Sequence, residues 1–322
     1  MIQEKIPPVH RVLIVGVSGY LGSSLAIALR DEFEVFGCYH KHPCRIEGVH
    51  CFQLDVLDGK EILEMTQKLQ PSAVLYCAGV HNRNKASEEA SRAEAINFKA
   101  PTIFFKFLSK NIYFLYFSCD EIFGQNTLAP NQKLYIETDR AMPISTYAKT
   151  KYSGENVVLN HGRQTCVFRM GTLYGEVMGS AQIPRRTWLH NVQDSISKKE
   201  TVGLASNQER TFTYIGDLAR AVKNYLNKPK LDSVIYNVAG ANIMSIFNFA
   251  KMFCEIFDLD TQYLEERTYQ HPVSKEFVAE PFMCGLNSEK IQKDYNFTAQ
   301  NPEEGLKEMH ERLRIGWTKK WS

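Results

Sequence analysis

No C-x-x-C pair, no H-E-x-x-H arrangement and no apolar stretch of about 18–20 residues occurs in this 322-residue chain. Without the first two there is no ready zinc site, and without the third no membrane-spanning helix. The eight cysteines, at 38, 44, 51, 77, 119, 166, 254 and 284, are scattered, and several sit in apolar strand-like runs such as VLYCAG. They read as reduced thiols of a cytoplasmic protein. The nine histidines are equally dispersed. The opening MIQEKIPPVHR carries an acid and two prolines before any apolar run, unlike a signal peptide. An excess of one charge is lacking too: 38 Lys and Arg against 36 Asp and Glu leave +2, with the signs interspersed. That argues against nucleic acid or a membrane surface as partner. There is no internal repeat, low-complexity segment or clean linker. What is present is ordinary for a globular chain, 44% hydrophobic and 23% charged. The length supports one large core, or one domain with a smaller partner.

One stretch stands out, Arg11 to Arg30, RVLIVGVSGYLGSSLAIALR. An apolar strand, Val12 to Val15, turns on Gly16, Gly19 and Gly22 and continues as an apolar-periodic helix. Strand, glycine turn and helix N-terminus together make a phosphate cradle. Gly16 permits the tight turn, Gly19 lets backbone approach a pyrophosphate, and Gly22 lets the helix lie close to the sheet. Downstream, strands are expected at Glu34–Tyr39, His50–Leu54, Ala73–Cys77, Tyr113–Ser118 and Thr165–Met170. Helices are expected at Gly59–Leu69, Ser87–Ser109 and Ser145–Asn160. This alternation predicts an α/β fold, a Rossmann-type doubly wound parallel sheet. Past Gly171 the rhythm loosens. Helices are expected at Gly216–Asn227 and Ser245–Phe257 with a strand at Val234–Val238 between them, and a closing helix at Pro302–Leu313 has Asn301 as N-cap. The expected organisation is a dinucleotide-binding domain of 1–171 and about 213–242, and a smaller C-terminal α/β substrate lobe of about 172–212 and 243–322.

The end of the second strand reads Tyr39-His40-Lys41, with Arg45 close behind. An acid there would hold a ribose 2′-hydroxyl, whereas His40 and Lys41 suit a 2′-phosphate. NADP(H) is therefore favoured over NAD(H); the plainer reading is a solvated basic turn. Asp55 stands where a carboxylate could accept from an adenine amino group, or could simply cap the next helix. On the helix at 145–160, Tyr147 and Lys151 share a face at i, i+4. A nearby ammonium and an oxidised nicotinamide would bring the phenol, whose ordinary pKa is about 10, toward working range.

These residues together resemble an extended short-chain dehydrogenase/reductase of the nucleotide-sugar epimerase/dehydratase/reductase group. The resemblance runs through GVSGYLG, CAG at 77–79, Asn97, SCDEIFG at 118–124, ETD at 137–139, YAKTK at 147–151, FRMGTLYG at 168–175, RTFTYIGDLARAV at 210–222 and YNVAG at 236–240. The spacing is most similar to the dTDP-4-dehydrorhamnose reductase branch. It implies Ser18, Tyr20, Leu21, Val56, Ala78, Gly79 and Asn97 around the dinucleotide. Tyr147 would give a proton to the sugar C4 oxygen, Lys151 would hold the nicotinamide ribose, and Arg210 would bind substrate phosphate, unless that arginine makes a structural salt bridge. A nucleotide-linked 4-keto-6-deoxy sugar is the implied substrate and a homodimer the implied assembly. Arg185, Arg186, Tyr269 and His271 are further substrate candidates.

Two departures keep other readings open. Cys119 stands where the family has Ser or Thr, and a thiol is a weaker donor; Ser118 or a water could take over, or Cys119 could be a small buried strand-end residue. Asp120-Glu121 resembles the acid–base pair of nucleotide-sugar 4,6-dehydratases, which argues for dehydratase or epimerase chemistry. The basic second-strand end, the reductase-like helix and Thr172 in place of a dehydratase asparagine weigh toward reduction. A third reading is an NADP-binding regulatory subunit without sugar turnover, as the regulatory subunit of methionine adenosyltransferase resembles the same reductases.

Overall fold

The computed structural model describes residues 9–80, 83–124, 132, 134–161, 164–177, 180–181, 187–270 and 283–315. In chain order the first half runs β1 (Arg11–Val15), α1 (Tyr20–Leu29), β2 (Glu34–Tyr39), β3 (Cys44–Arg45), β4 (Val49–Gln53), α2 (Gly59–Leu69) and β5 (Ala73–Tyr76). It continues through α3 (Arg83–Glu88), α4 (Ala90–Glu94), a π-helical turn at Ala95–Lys99, α5 (Ala100–Phe107), β6 (Tyr113–Cys119) and a 3-10 turn at Asp120–Phe123. Next come α6 (Thr146–Asn160), β7 (Thr165–Met170), β8 (Thr172–Tyr174), β9 (Ser180–Ala181), α7 (Trp188–Ser197), β10 (Val202–Ala205), β11 (Glu209–Tyr214), α8 (Ile215–Asn227) and β12 (Val234–Val238). The chain closes with β13 (Ile243–Ser245), α9 (Ile246–Ile256), β14 (Leu264–Arg267), β15 (Met283–Cys284), α10 (Glu289–Tyr295) and α11 (Pro302–Arg314).

Seven parallel strands form the central sheet in the order β12-β7-β6-β5-β1-β2-β4. Helices cover both faces, which is why β1, β5 and β6 read as unbroken apolar runs. Val12, Ile14, Leu75, Leu115 and Phe117 pack with Leu25 and Leu29 of α1 and Leu218 and Val222 of α8. Leu13, Val15, Val74, Tyr76, Phe114 and Tyr116 pack on the other face with Ile62 of α2, Phe104 of α5 and Val158 of α6. This is the doubly wound sheet that the alternation of strands and helices predicts. A second sheet joins β13, β11 and β15, with β8 beside β11. Two ribbons complete the pairing, β10 with β14 and β3 with β9.

Most predicted elements appear within a residue or two, and the Asn301 cap forms a reciprocal capping box with Glu304. Two expectations fail. The helix expected over 87–109 is broken into α3, α4, the π-helical turn and α5, and ends at Phe107. Asp55 does not cap α2: Asp58 does, accepting from the Lys60 and Glu61 amides at 2.8 and 3.1 Å.

Candidate active site

Strand order reverses at β1, which lies between β2 and β5. Such a switch point opens a crevice at the carboxyl ends of the strands. Val15 is in register with Cys38 and with Tyr76, so three loops begin at one level. The Gly16 and Val17 amides both donate to the Cys38 carbonyl, at 2.9 and 3.0 Å, and fix the turn. Gly16 has φ +86°, and a Cβ there would lie 2.8 Å from the Ala78 nitrogen. A Cβ on Gly22 would lie 2.3 Å from the Gly16 carbonyl oxygen. Only glycine therefore lets α1 start this close to the turn. Gly19, the N-cap of α1, supplies no side-chain cap, and the first turn holds no acid. The free N–H groups and the positive end of the helix dipole are left for an anion, and the cradle fits a dinucleotide pyrophosphate. Ser18, Tyr20 and Leu21 border this turn half-buried, as Ala78 does from the β5 side, while Gly79 is exposed.

Beyond β2, His40 and Lys41 are exposed. The His40 carbonyl accepts from the Gln53 amide at 3.1 Å, and its ring lies 3.7 Å from Asp55. Asp55 is held in its own turn, accepting from the Leu57 amide at 2.9 Å. Val56, half-buried, packs on the α2 side of the sheet.

Helix α6 starts at Ser145, whose hydroxyl accepts from the Ala148 amide at 3.0 Å. It reaches the end of β6 through Gly154, where a Cβ would lie 2.3 Å from the Tyr116 hydroxyl and 2.4 Å from the Asn97 carbonyl oxygen. The Tyr116 hydroxyl donates to that carbonyl at 2.7 Å. Asn97 sits in the π-helical turn, and its side chain is engaged by protein. Its Oδ1 accepts from the Val80 amide at 3.0 Å, and its Nδ2 donates to Thr150 Oγ1 at 3.0 Å and to the Val80 carbonyl at 3.3 Å. Asn97 thus clamps the loop after β5 to α6.

Lys151 is buried, its ammonium 4.0 Å from the centre of the Tyr116 ring. Burial lowers its pKa to about 8, against the opposing pull of Cys119, Glu155 and Cys77. The Tyr147 hydroxyl lies against the Cys119 thiol, and burial, then Cys119 and Glu121, push it well above the ordinary tyrosine range. A nearby ammonium together with an oxidised nicotinamide is expected to draw this phenol downward; in the protein alone burial dominates and the shift is upward. Cys119, buried at the end of β6, is likewise held as a neutral thiol by burial and the adjacent carboxylates. The Ser118 hydroxyl is buried without a partner among the described residues.

Asp120 and Glu121 follow on the 3-10 turn, both buried. Arg83 Nε donates to Glu121 Oε1 at 3.0 Å. Burial pushes Asp120 up to about 7, opposed by Arg210 and reinforced by Glu121. Asp120 Oδ2 and Glu121 Oε2 have no partner among the described residues. Arg210, on β11 and buried, therefore lies at the carboxylate pair. The backbone of Tyr269 is bonded both ways to the Asn207 side chain, at 2.7 and 2.9 Å. Arg185, Arg186 and His271 lie outside the described residues. Arg83, Gly154 and the Glu155–Arg169 pair behind α6 have no assigned role in the sequence pattern, although Arg169 falls within FRMGTLYG at 168–175. Among the described residues no group of three or more His, Cys, Asp or Glu is placed to hold a metal.

Comparison with known proteins shows the fold and the family. Methionine adenosyltransferase 2 subunit beta of Rattus norvegicus is 25% identical over 275 residues, covering 83% of this chain and 78% of its own. The Haloferax volcanii protein named "Probable low-salt glycan biosynthesis reductase Agl14" is 24% identical over 261 residues, covering 78% and 82%. The crystal structure of dTDP-4-dehydrorhamnose reductase from Bacillus anthracis in complex with NADP superposes with a TM-score of 0.78 at 20% identity, covering 94% of this chain and 99% of that one. The RmlD substrate binding domain model matches residues 10–315. The chain belongs to that family.

Proposed function

We propose that the protein is an NADPH-dependent reductase of a nucleotide-linked 4-keto-6-deoxy sugar. The observation that carries this reading is the Tyr147 phenol, packed with Cys119 at the end of β6 and carried on the same helix as buried Lys151. Ketone reduction needs a proton donor, and a phenol held above its ordinary pKa keeps its proton until an alkoxide develops. The cradle at Gly16–Gly22 would hold the pyrophosphate, and His40 and Lys41 the 2′-phosphate. NADPH, when bound, supplies the hydride. Cys119 would direct its S–H toward the ketone oxygen, while Asp120 and Glu121 accept from sugar hydroxyls through their open oxygens. Arg83 already engages Glu121 at 3.0 Å, which weighs against its serving as the base of a dehydratase. In this reading 1–171 and about 213–242 bind the cofactor, and about 172–212 and 243–322 the sugar.

The test is NADPH oxidation with a panel of nucleotide-linked 4-ketosugars. Tyr147→Phe should lower turnover about 10²–10⁴-fold with little change in NADPH affinity. Lys41→Glu should weaken NADPH roughly five- to tenfold, ~1 kcal/mol, and leave NADH unaffected. A 4-keto product formed from a nucleotide hexose without net NADPH use would replace reduction by dehydration. One observation favours a second reading: the similarity to a methionine adenosyltransferase beta subunit, together with Cys119 in place of Ser or Thr, fits an NADP-binding regulatory subunit. A copurifying partner with no turnover on any ketosugar would select it.

A further inference from the structure

Eight cysteines divide sharply by environment. Cys38, Cys119, Cys166, Cys254 and Cys284 are buried, and burial pushes each thiol up. Cys77 is half-buried, and its thiol too is pushed up. Cys44 and Cys51 differ. Both are half-buried, and the Cys44 thiol donates to Cys51 Sγ at 4.0 Å. The Ile46 backbone N–H also points at Cys51, and these two donors lower its thiol to about 7. Cys51 is anchored in β4, paired with Gly37 of β2, whereas Cys44 belongs to the two-residue β3. Between them the chain turns through Gly48 at φ +74°, with the Val49 amide donating to the Ile46 carbonyl at 3.1 Å.

We propose that Cys44 and Cys51 form a peroxide-sensitive thiol pair, whose disulfide ties the arm carrying His40 and Lys41 to strand β4. The Cys51 thiolate attacks hydrogen peroxide or an organic hydroperoxide at oxygen. The O–O bond breaks, hydroxide or alkoxide leaves, and a sulfenic acid forms. The Cys44 sulfur then displaces hydroxide from that sulfenic acid, forming the S–S bond, and its thiol proton leaves with the hydroxide as water. The two sulfurs are oxidised by two electrons in total and one peroxide is reduced. Closing the gap takes about 2 Å of movement to reach an S–S bond. Because β4 is held in the central sheet, the movement falls on β3. Cys44 is the β3 residue opposite Ala181 of β9, so the bond also strains that ribbon. Lys41 lies only three residues before Cys44, and its mobility is reduced with the arm.

The test treats the intact protein with stoichiometric hydrogen peroxide and maps it by mass spectrometry and amide hydrogen exchange. The expected result is an intramolecular Cys44–Cys51 link, 2 Da lighter, with exchange over residues 40–48 slowed severalfold and restored by dithiothreitol. Cys44→Ser should give sulfenic or sulfinic acid at Cys51 and no change in exchange. A link at other cysteines, an intermolecular link, or the expected link with unchanged exchange would overturn the proposal. Any effect on NADPH rests on the assignment of His40 and Lys41 to the 2′-phosphate, and there a severalfold change in affinity between reduced and oxidised protein is expected. Reduced protein that fails to bind NADPH would remove that assignment, while mass and exchange still decide the thiol pair.

Discussion

Two arginine–glutamate pairs lie against helix α6, and they are built in opposite ways. Arg169 and Glu155 are almost fully enclosed, at 4% and 1% side-chain exposure. Arg169 donates to both Glu155 oxygens, at 2.8–3.2 Å, and to the Glu137 carbonyl at 2.9 Å. Glu137 in turn accepts from the Asn237 amide on β12 at 2.9 Å. Arg83 and Glu121 are more open, at 28% and 12%. There one carboxylate oxygen of Glu121 and one of Asp120 remain without a partner among the described residues. A buried charge with satisfied hydrogen bonds is scaffold, costly to disturb and with nothing left for a ligand. A carboxylate with a spare acceptor is incomplete until something binds. The first pair holds α6 on the sheet; the second sits just past the end of β6 with acceptors to spare among the described residues.

The comparison can be broken. Arg169→Ala should destabilise the fold by about 3–5 kcal/mol in denaturant titration, because it strands Glu155 in the interior. A loss under 1 kcal/mol would remove the scaffold role. Asp120→Asn should show its effect in the pH dependence. The folded carboxyl titrates at about 7 against an ordinary 3.8, so the folded state holds a proton that the unfolded chain releases. The wild type's stability from this group is complete below pH 4 and lost as the pH rises through 7. The variant should gain on the wild type between pH 4 and 8, by at most about 4 kcal/mol for a shift near three units. Parallel stability curves would show that Asp120 is not strained. Arg83→Ala should cost least, at most ~1 kcal/mol, because the pair is partly solvated. If it costs as much as Arg169→Ala, the two pairs do not differ in kind.

The cradle was legible because its information is local. Strand, turn glycines and helix lie within twenty residues; Gly19 and Gly22 answer to contacts inside their own turn, and Gly16 to its positive φ as well as to the loop after β5. The second sheet was not, since its short strands find partners across long separations, as β11 does with β15. Residues 87–109 read as one helix because propensity does not register a π turn; that turn is fixed by the clamp of Asn97 onto Val80 and Thr150. Arg83 meets Glu121 across 38 residues of sequence, and no spacing rule reaches that far. Asp58, three residues past the Asp55 that the sequence suggested, is the cap, a choice made by backbone geometry.

By itself the sequence determined the central sheet, the phosphate cradle and the shared face of Tyr147 and Lys151, because periodicity and glycine placement act within one or two elements. Only the tertiary structure decided that the Tyr147 phenol is pushed above the ordinary tyrosine range, that Asp120 is pushed up to about 7, and that Asn97 is a clamp. Desolvation and long-range charge depend on which elements pack together, and the cost of burying a charge is set by the neighbours that folding supplies.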